Sequence, residues 1–337
     1  MEKEKILDYS KKTSLPSQTF LKRIMQWNLE QAIELSQKPL FDVIFQARQI
    51  HCENHNANEV EIATLCSIKT GSCPEDCKYC PQSAHHNTGL EKKPLMDKEE
   101  ILKHAIEAKN SGATRFCMGA AWRKLHEKDT EKMCEIISAV KELGIETCAT
   151  FGTINKEQAI SMKEAGLDYY NHNLDTSEEF YDKIITTRPY AERLETLDNV
   201  ADAGINICCG GIVGMGETFE DRLRMLVTLS KLKHQPNSIP INMLVKAKGT
   251  PLEHAKDVDP FEYIRLVAIT RIMFPKAFVR LSAGRFNMSE EMQAMCFMSG
   301  ANSIFYGEKL LTTQNNDSNS DLALLKKLDL RQMVKGN

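Results

Sequence analysis

From about residue 60 onward the chain repeats one pattern. An amphipathic run ends in a small residue and a glycine, and an apolar run follows at once. The junctions are Ser111-Gly112-Ala113 before RFCMGAAW, Leu143-Gly144-Ile145 before ETCATFG, Ala165-Gly166-Leu167 before DYYNHNLD, Ala203-Gly204-Ile205 before NICCGGIVG, and Ser299-Gly300-Ala301 before NSIFYG. Glycine just past a helix end accepts the left-handed backbone that stops the helix. The pattern therefore predicts helix, stop and strand in series. Runs such as DKEEILKHAIEAKN, DTEKMCEIISAVKEL, YAERLETLDNVADA and TFEDRLRMLVTLSKL carry their apolar residues at helical spacing. The candidate strands lie near 60–69, 115–121, 146–152, 168–174, 205–213, 238–246, 277–283 and 301–307. Eight strands alternating with helices predict an α/β fold, a (β/α)8 TIM-type barrel. A doubly wound open sheet is the alternative, but no G-x-G-x-x-G opens the first unit. Residues 1–50 read as an N-terminal helical extension, 51–315 as the barrel, and 316–337 as a C-terminal loop and helix, LALLKKLDL.

Composition narrows the function classes. The chain has 337 residues, 42% of them hydrophobic, and Lys+Arg 43 against Asp+Glu 46 leaves a net charge of −3. No basic excess exists to drive binding to a phosphate backbone, so no nucleic-acid partner is expected. The longest uncharged stretch, Met292 to Gly307, is sixteen residues and includes Gln293, Ser299 and Asn302. It falls short of the roughly 20 apolar residues that span a bilayer. The first residues, MEKEKILDYSKK, lack the apolar core of a secretory signal. The expectation is a cytoplasmic protein with no membrane partner.

Eleven cysteines, an odd number, suit metal binding or chemistry better than disulfides in such a chain. The tightest group is Cys73-Pro74-Glu75-Asp76-Cys77-Lys78-Tyr79-Cys80, a C-x3-C-x2-C run just after the first strand. In barrels the loops after the strands carry the chemistry. Three thiolates on one such loop can bind three corners of a cubane iron–sulfur cluster and leave the fourth iron open. Zinc is the rival, with His85 or His86 completing the site. A second group, Cys117, Cys148 and Cys208, falls on separate strands, and Arg280 lies on the seventh. Inward positions on different strands of a closed barrel converge, so these four suggest a second metal site. Cys208 is followed by Cys209, which period-two alternation turns to the other face. Cys52, Cys66, Cys134 and Cys296 read as core or incidental positions.

In the fourth strand, Asn171, Asn173 and Asp175 alternate and can all face the barrel mouth, while His172 points away. Their amides and carboxylate suit hydroxyls or a cyclic urea. Gly210, Gly211, Gly214 and Gly216, around the end of strand five, let a ligand approach the backbone.

The cysteine run, placed after the first strand of a barrel, resembles the radical S-adenosylmethionine superfamily. Across roughly residues 55–315, the segments CPEDCKYCPQS, RFCMGAAW, GLDYYNHNLDTS, GGIVGMGE, INMLVKAKGTPL, VRLSAGR and MCFMSGANSIFYGEKLLTT, in that order, are similar to the biotin synthase family. The resemblance implies a [4Fe–4S] cluster on Cys73, Cys77 and Cys80, with S-adenosylmethionine as cosubstrate on its open iron. It also implies a [2Fe–2S] cluster on Cys117, Cys148, Cys208 and Arg280 as sulfur donor for converting dethiobiotin to biotin. For S-adenosylmethionine it implies the ribose on Asn173 and Asp175. Beside it, the residues themselves read as follows: Tyr79 and Trp122 stack or pack near the adenine, Gly214 and Gly216 line the cosubstrate's path, and Arg193 is either a partner for the methionyl carboxylate or a surface helix charge. For dethiobiotin the resemblance implies the ureido ring on Asn171, Asn173 and Asn242, and the carboxylate near Thr312 and Thr313. A homodimer and a flavodoxin-type electron donor complete the expectation. A different radical enzyme, a zinc-dependent barrel hydrolase and an iron–sulfur carrier are the alternatives.

Overall fold

The computed structural model describes residues 26–307, 309–316 and 318–334. The first part of the expected helical extension, residues 1–25, lies outside them. Two helices, α1 (Leu29–Gln37) and α2 (Leu40–Asn54), precede the first strand. Asn28 opens α1 by accepting from the Gln31 amide at 2.8 Å, while the Gln31 side chain returns to the Asn28 amide at 3.0 Å.

The strands follow as β1 (Glu59–Lys69), β2 (Arg115–Ala120), β3 (Glu146–Thr150), β4 (Tyr169–Asn171), β5 (Asn206–Cys208), β6 (Gly211–Val213), β7 (Ser238–Met243), β8 (Phe278–Leu281) and β9 (Ser303–Phe305). Between them run α3 (Lys98–Asn110), α4 (Glu127–Glu142), α5 (Lys156–Glu164), α6 (Glu178–Tyr181), α7 (Tyr190–Asp202), α8 (Phe219–Lys231), α9 (Pro260–Met273) and α10 (Glu290–Met298). Every neighbouring pair in this set is parallel, and β9 returns to pair with β1, so the sheet closes. The expected eight-position barrel is present. Gly112, Gly144, Gly166, Gly204 and Gly300 all have positive φ, the stop conformation that the repeated pattern demands.

The fifth strand differs from expectation. In place of one run over 205–213, β5 and β6 are separated at Cys209 and Gly210, and both pair with β7. Gly210, in the break, packs closely against Pro240: a Cβ there would lie 2.0 Å from the Pro240 carbonyl oxygen. The Gly210 carbonyl instead accepts from the Asp175 amide at 3.2 Å.

After β9 comes a short hairpin, β10 (Lys309–Leu310) and β11 (Thr313–Gln314), then α11 (Ser318–Lys327) and β12 (Arg331–Gln332), which adds to β1. The last helix starts before the expected LALLKKLDL run and stops earlier, because Asp329 takes a positive φ of 52°. Most of the apolar core lies between strands and helices. A smaller inner group, Ala63, Cys117, Cys148, Tyr169, Cys208, Phe305 and Leu310, fills the barrel itself. Among the described residues no helix is long and apolar enough to cross a membrane.

Candidate active site

The loop after β1 is held in shape before any ligand is considered. Its backbone closes on itself through Cys73 N–H to Gln82 O at 3.0 Å, Ala84 N–H to Cys73 O at 2.7 Å and Cys80 N–H to Cys77 O at 2.9 Å. Two acidic residues then dock it on the segment before α7. Glu75 is buried and meets Arg123 Nε at 2.7 Å and Arg188 Nη2 at 3.2 Å. Asp76 accepts from the Thr186 amide at 2.9 Å and the Thr186 hydroxyl at 2.5 Å. Burial alone would raise the Asp76 carboxyl, but the Thr186 and Thr187 hydrogen bonds outweigh it and hold it at about 2. Burial pushes up the Cys73 and Cys77 thiols and takes Cys80 up to about 12. His85 and His86 turn Nε2 to the carbonyls of Pro74 and Cys77, each at 3.0 Å. Among the described residues no three His, Cys, Asp or Glu side chains form a single-ion site.

A cavity of about 230 Å³ opens at the C-terminal ends of the strands. Its wall includes Tyr79 and Cys80 from the loop, Cys117, Cys148, Cys208 and Arg280 from four strands, and Asn171, Asn173, Asp175, Asn242, Thr312 and Thr313. Register explains the inner set: Cys117 pairs directly with Cys148, and Cys208 with Asn171. All three thiols are buried. Burial opposes charge on Cys117, yet the hydrogen bond from Cys148 and the Arg280 and Arg115 guanidiniums outweigh it. Cys117 is therefore held below an ordinary thiol, and donation to Cys117 pushes Cys148 up. Cys209 is fully buried in the outer core, away from the cavity wall, as alternation requires.

The amides form a chain along the wall. Asn171 Nδ2 lies 3.1 Å from Asn173 Oδ1 and 3.4 Å from Cys208 Sγ. Asn173 Oδ1 also accepts from the Gly210 amide at 3.1 Å. Asn242 bridges the Gly211 carbonyl at 3.0 Å and the Ala283 amide at 3.2 Å. Asp175, at a positive φ of 69°, accepts from Tyr79 Oη at 2.7 Å and pairs with Arg193 Nη2 at 2.8 Å. Burial raises the Tyr79 phenol well above its usual range and keeps that donor in place.

Four expected contacts are not on the cavity wall. Arg193 is buried, but its guanidinium is held by Asp175, by Tyr181 Oη at 2.7 Å and by the Asn173 carbonyl at 2.5 Å. These contacts also fix the Asp175 carboxylate. Trp122 packs edge-on against Phe151, with ring centroids 6.0 Å apart. Gly214 and Gly216 belong to a turn closed by Glu217, whose carboxylate accepts from the Gly214 and Met215 amides at 2.9 and 2.7 Å.

Glu61 and Arg115 are not among the site residues that the sequence singles out. Both are buried inside the barrel. Burial would raise the Glu61 carboxyl, but Arg115, Arg280 and the Ser303 hydroxyl outweigh it and hold it below the usual carboxylate range. Period two along β1 places Glu61 on the face of Ala63 and Leu65, which could have flagged it.

Comparison with known proteins agrees with this geometry. Residues 67–229 match the radical SAM superfamily model and residues 240–331 the Biotin and Thiamin Synthesis associated domain. The biotin synthase of Marinobacter nauticus is 57% identical over 305 residues, covering 90% of this chain and 87% of the relative. That of Buchnera aphidicola subsp. Schizaphis graminum is 59% identical over 305 residues, covering 90% and 89%. Among solved structures, methylornithine synthase superimposes with a TM-score of 0.77 at 18% identity, covering 92% of this chain and 95% of that one. The FeFe-hydrogenase maturase of Carboxydothermus hydrogenoformans gives 0.78 at 16% identity, covering 92% and 76%. At such identities these two structures speak for the fold alone. The extent and identity of the sequence matches settle the relationship: the chain belongs to the biotin synthase family.

Proposed function

We propose that this cavity is the active site of a radical S-adenosylmethionine enzyme that inserts sulfur into dethiobiotin to form biotin. One observation carries the reading. A single cavity is walled at once by a cysteine of the outer loop, by the thiols of three strands with Arg280, and by three asparagine amides. The donor sets fit iron–sulfur groups: soft thiols from one short loop outside, and three buried thiols inside. Arg280 Nη1 is buried with no hydrogen-bond partner and belongs to a residue of the same wall.

Cys73, Cys77 and Cys80 would hold a [4Fe–4S] cluster, and Cys117, Cys148, Cys208 and Arg280 a [2Fe–2S] cluster. When bound, these groups supply reductive cleavage of the S-adenosylmethionine sulfonium to a deoxyadenosyl radical and the sulfide for the new carbon–sulfur bonds. The protein's own residues do the holding. Asn171, Asn173 and Asn242 offer donors and acceptors in fixed places for the ureido ring. Thr312 and Thr313 offer hydroxyls to the substrate carboxylate. Asn173 and Asp175 take the ribose hydroxyls, with Tyr79 and Arg193 fixing the Asp175 carboxylate. The buried inner wall keeps water from the reacting carbons. A flavodoxin-type electron donor, a homodimer and a cytoplasmic location belong to the same reading.

The test is anaerobic reconstitution with iron and sulfide counted per chain, Mössbauer spectra, and conversion of dethiobiotin followed by mass spectrometry. About six irons divided between cubane and [2Fe–2S] signals, with biotin formed, is the expected result. About four irons of cubane type alone would remove the inner cluster. Zinc without iron would remove the radical chemistry.

A further inference from the structure

Three neighbouring strands meet where the barrel closes, and they bring one polar layer together. Register places Glu61 of β1 opposite Ser303 of β9, and Ser303 opposite Arg280 of β8. Arg280 Nε donates to Ser303 Oγ at 2.7 Å, and Arg280 Nη2 donates to Glu61 Oε2 at 2.9 Å. The Ser303 hydroxyl in turn donates to the same Glu61 oxygen. On its other side, Glu61 Oε1 lies 3.3 Å from Arg115 Nε. Glu61 is 1% exposed, and Arg115, Arg280 and Ser303 are fully buried.

A guanidinium is planar and carries its donors on three nitrogens. Here two of the three Arg280 nitrogens are tied on the side of Glu61 and Ser303, and the Phe305 ring covers its face at 4.6 Å. Nη1 alone is left, buried and without a partner. Arg280 shares the cavity wall with Cys117, Cys148 and Cys208. Two guanidiniums buried side by side also need a counter-charge, and Glu61 stands between them.

We propose that Glu61 is a positioning residue for the inner site. With Ser303 it locks the Arg280 guanidinium so that only Nη1 is presented to the three thiols, and its charge offsets Arg280 and Arg115. The inference rests on the reading of a [2Fe–2S] cluster in that layer. It extends that reading to a residue that touches neither the cluster ligands' sulfurs nor the substrate.

The experiment compares wild type, Glu61→Gln and Ser303→Ala after identical anaerobic reconstitution. Iron and sulfide per chain, Mössbauer signals, and the rate at which a chelator strips each cluster are read, with thermal melting of the cluster-free proteins as the control. Residues that orient a ligand usually change metal affinity about 10- to 100-fold. In Glu61→Gln the [2Fe–2S] signal is therefore expected to be lost about tenfold faster, with its visible charge-transfer band shifted and the cubane signal retained. Ser303→Ala, which keeps the charge and removes one tie, is expected to show the same selective loss to a smaller degree. A role in folding alone would lower the melting temperature without singling out the inner signal. If wild type carries both signals and both variants keep the inner one with unchanged band and stripping rate, the inference is overturned. If wild type carries no inner signal, the two-cluster reading fails first and takes this one with it.

Discussion

Cys73, Cys77 and Cys80 reach one another within a single short run of chain, whereas Cys117, Cys148 and Cys208 meet only because β2, β3 and β5 share one closed sheet. The two regions solve the same problem by different means. The outer loop is shaped by its own backbone hydrogen bonds and tied down by Glu75 and Asp76. The inner layer has no loop of its own and takes its geometry from strand register. Yet each has a buried carboxylate between two arginines: Glu75 between Arg123 and Arg188, and Glu61 between Arg115 and Arg280. Buried positive charge is tolerated only when it is paired. The difference is one of dependence: the outer site can fail locally, while the inner one fails when the barrel's register does.

The comparison breaks most sharply at the thiols. Cys77→Ala is expected to abolish formation of 5′-deoxyadenosine from S-adenosylmethionine. Cys148→Ala should lose the [2Fe–2S] signal while some cleavage persists. Equal loss of cleavage in both, through intact protein, would show that the two regions do not divide the work. Next in size is Glu75→Gln, the outer counterpart of the Glu61 substitution. It leaves the buried Arg188 without its counter-charge, at a cost of about 3 kcal/mol in denaturant unfolding. Its iron loss should fall on the cubane and spare the inner cluster.

A pH series sharpens the contrast further. Asp76 is held at about 2 by the Thr186 and Thr187 hydrogen bonds, which outweigh burial, against about 3.9 in an unfolded chain. A depressed carboxyl stabilises the fold above its unfolded value and stops doing so as pH falls through its folded one. The urea midpoints of wild type and Asp76→Asn should therefore differ most above pH 4 and converge below it. A difference that stays constant down to pH 2.5 would remove Asp76 as a charged staple. The smallest effect belongs to Cys209→Ala. Its thiol packs in the outer core, so about 1 kcal/mol of stability should go, with iron content unchanged. Loss of inner-cluster iron in this variant would make the neighbour of Cys208 a participant.

Much of this was legible along the chain because it rests on short-range rules. The stops of α3, α4, α5, α7 and α10 are each one glycine in a left-handed conformation, and period two alone separates Cys208 from Cys209. Other features were not. The pairing of Arg193 on α7 with Asp175 beyond the end of β4 is one. The T-shaped packing of Trp122 on Phe151 is another. The close approach of Gly210, in the break of the fifth strand, to Pro240 joins positions some thirty residues apart. None of these pairings lies within the few residues over which local propensity acts.

By itself, then, the sequence determined the alternation of helix and strand, the number of barrel positions and the outer cysteine loop. Backbone stops, hydrophobic period and ligand spacing are all properties of neighbours in the chain. Only the tertiary structure decided which charged side chains turn inward and what they meet. Glu61, Ser303 and Arg280 are brought opposite one another by the register with which β9 closes the barrel on β1 and β8. That register is set by the packing of the whole closed sheet, so no segment of the chain carries it alone.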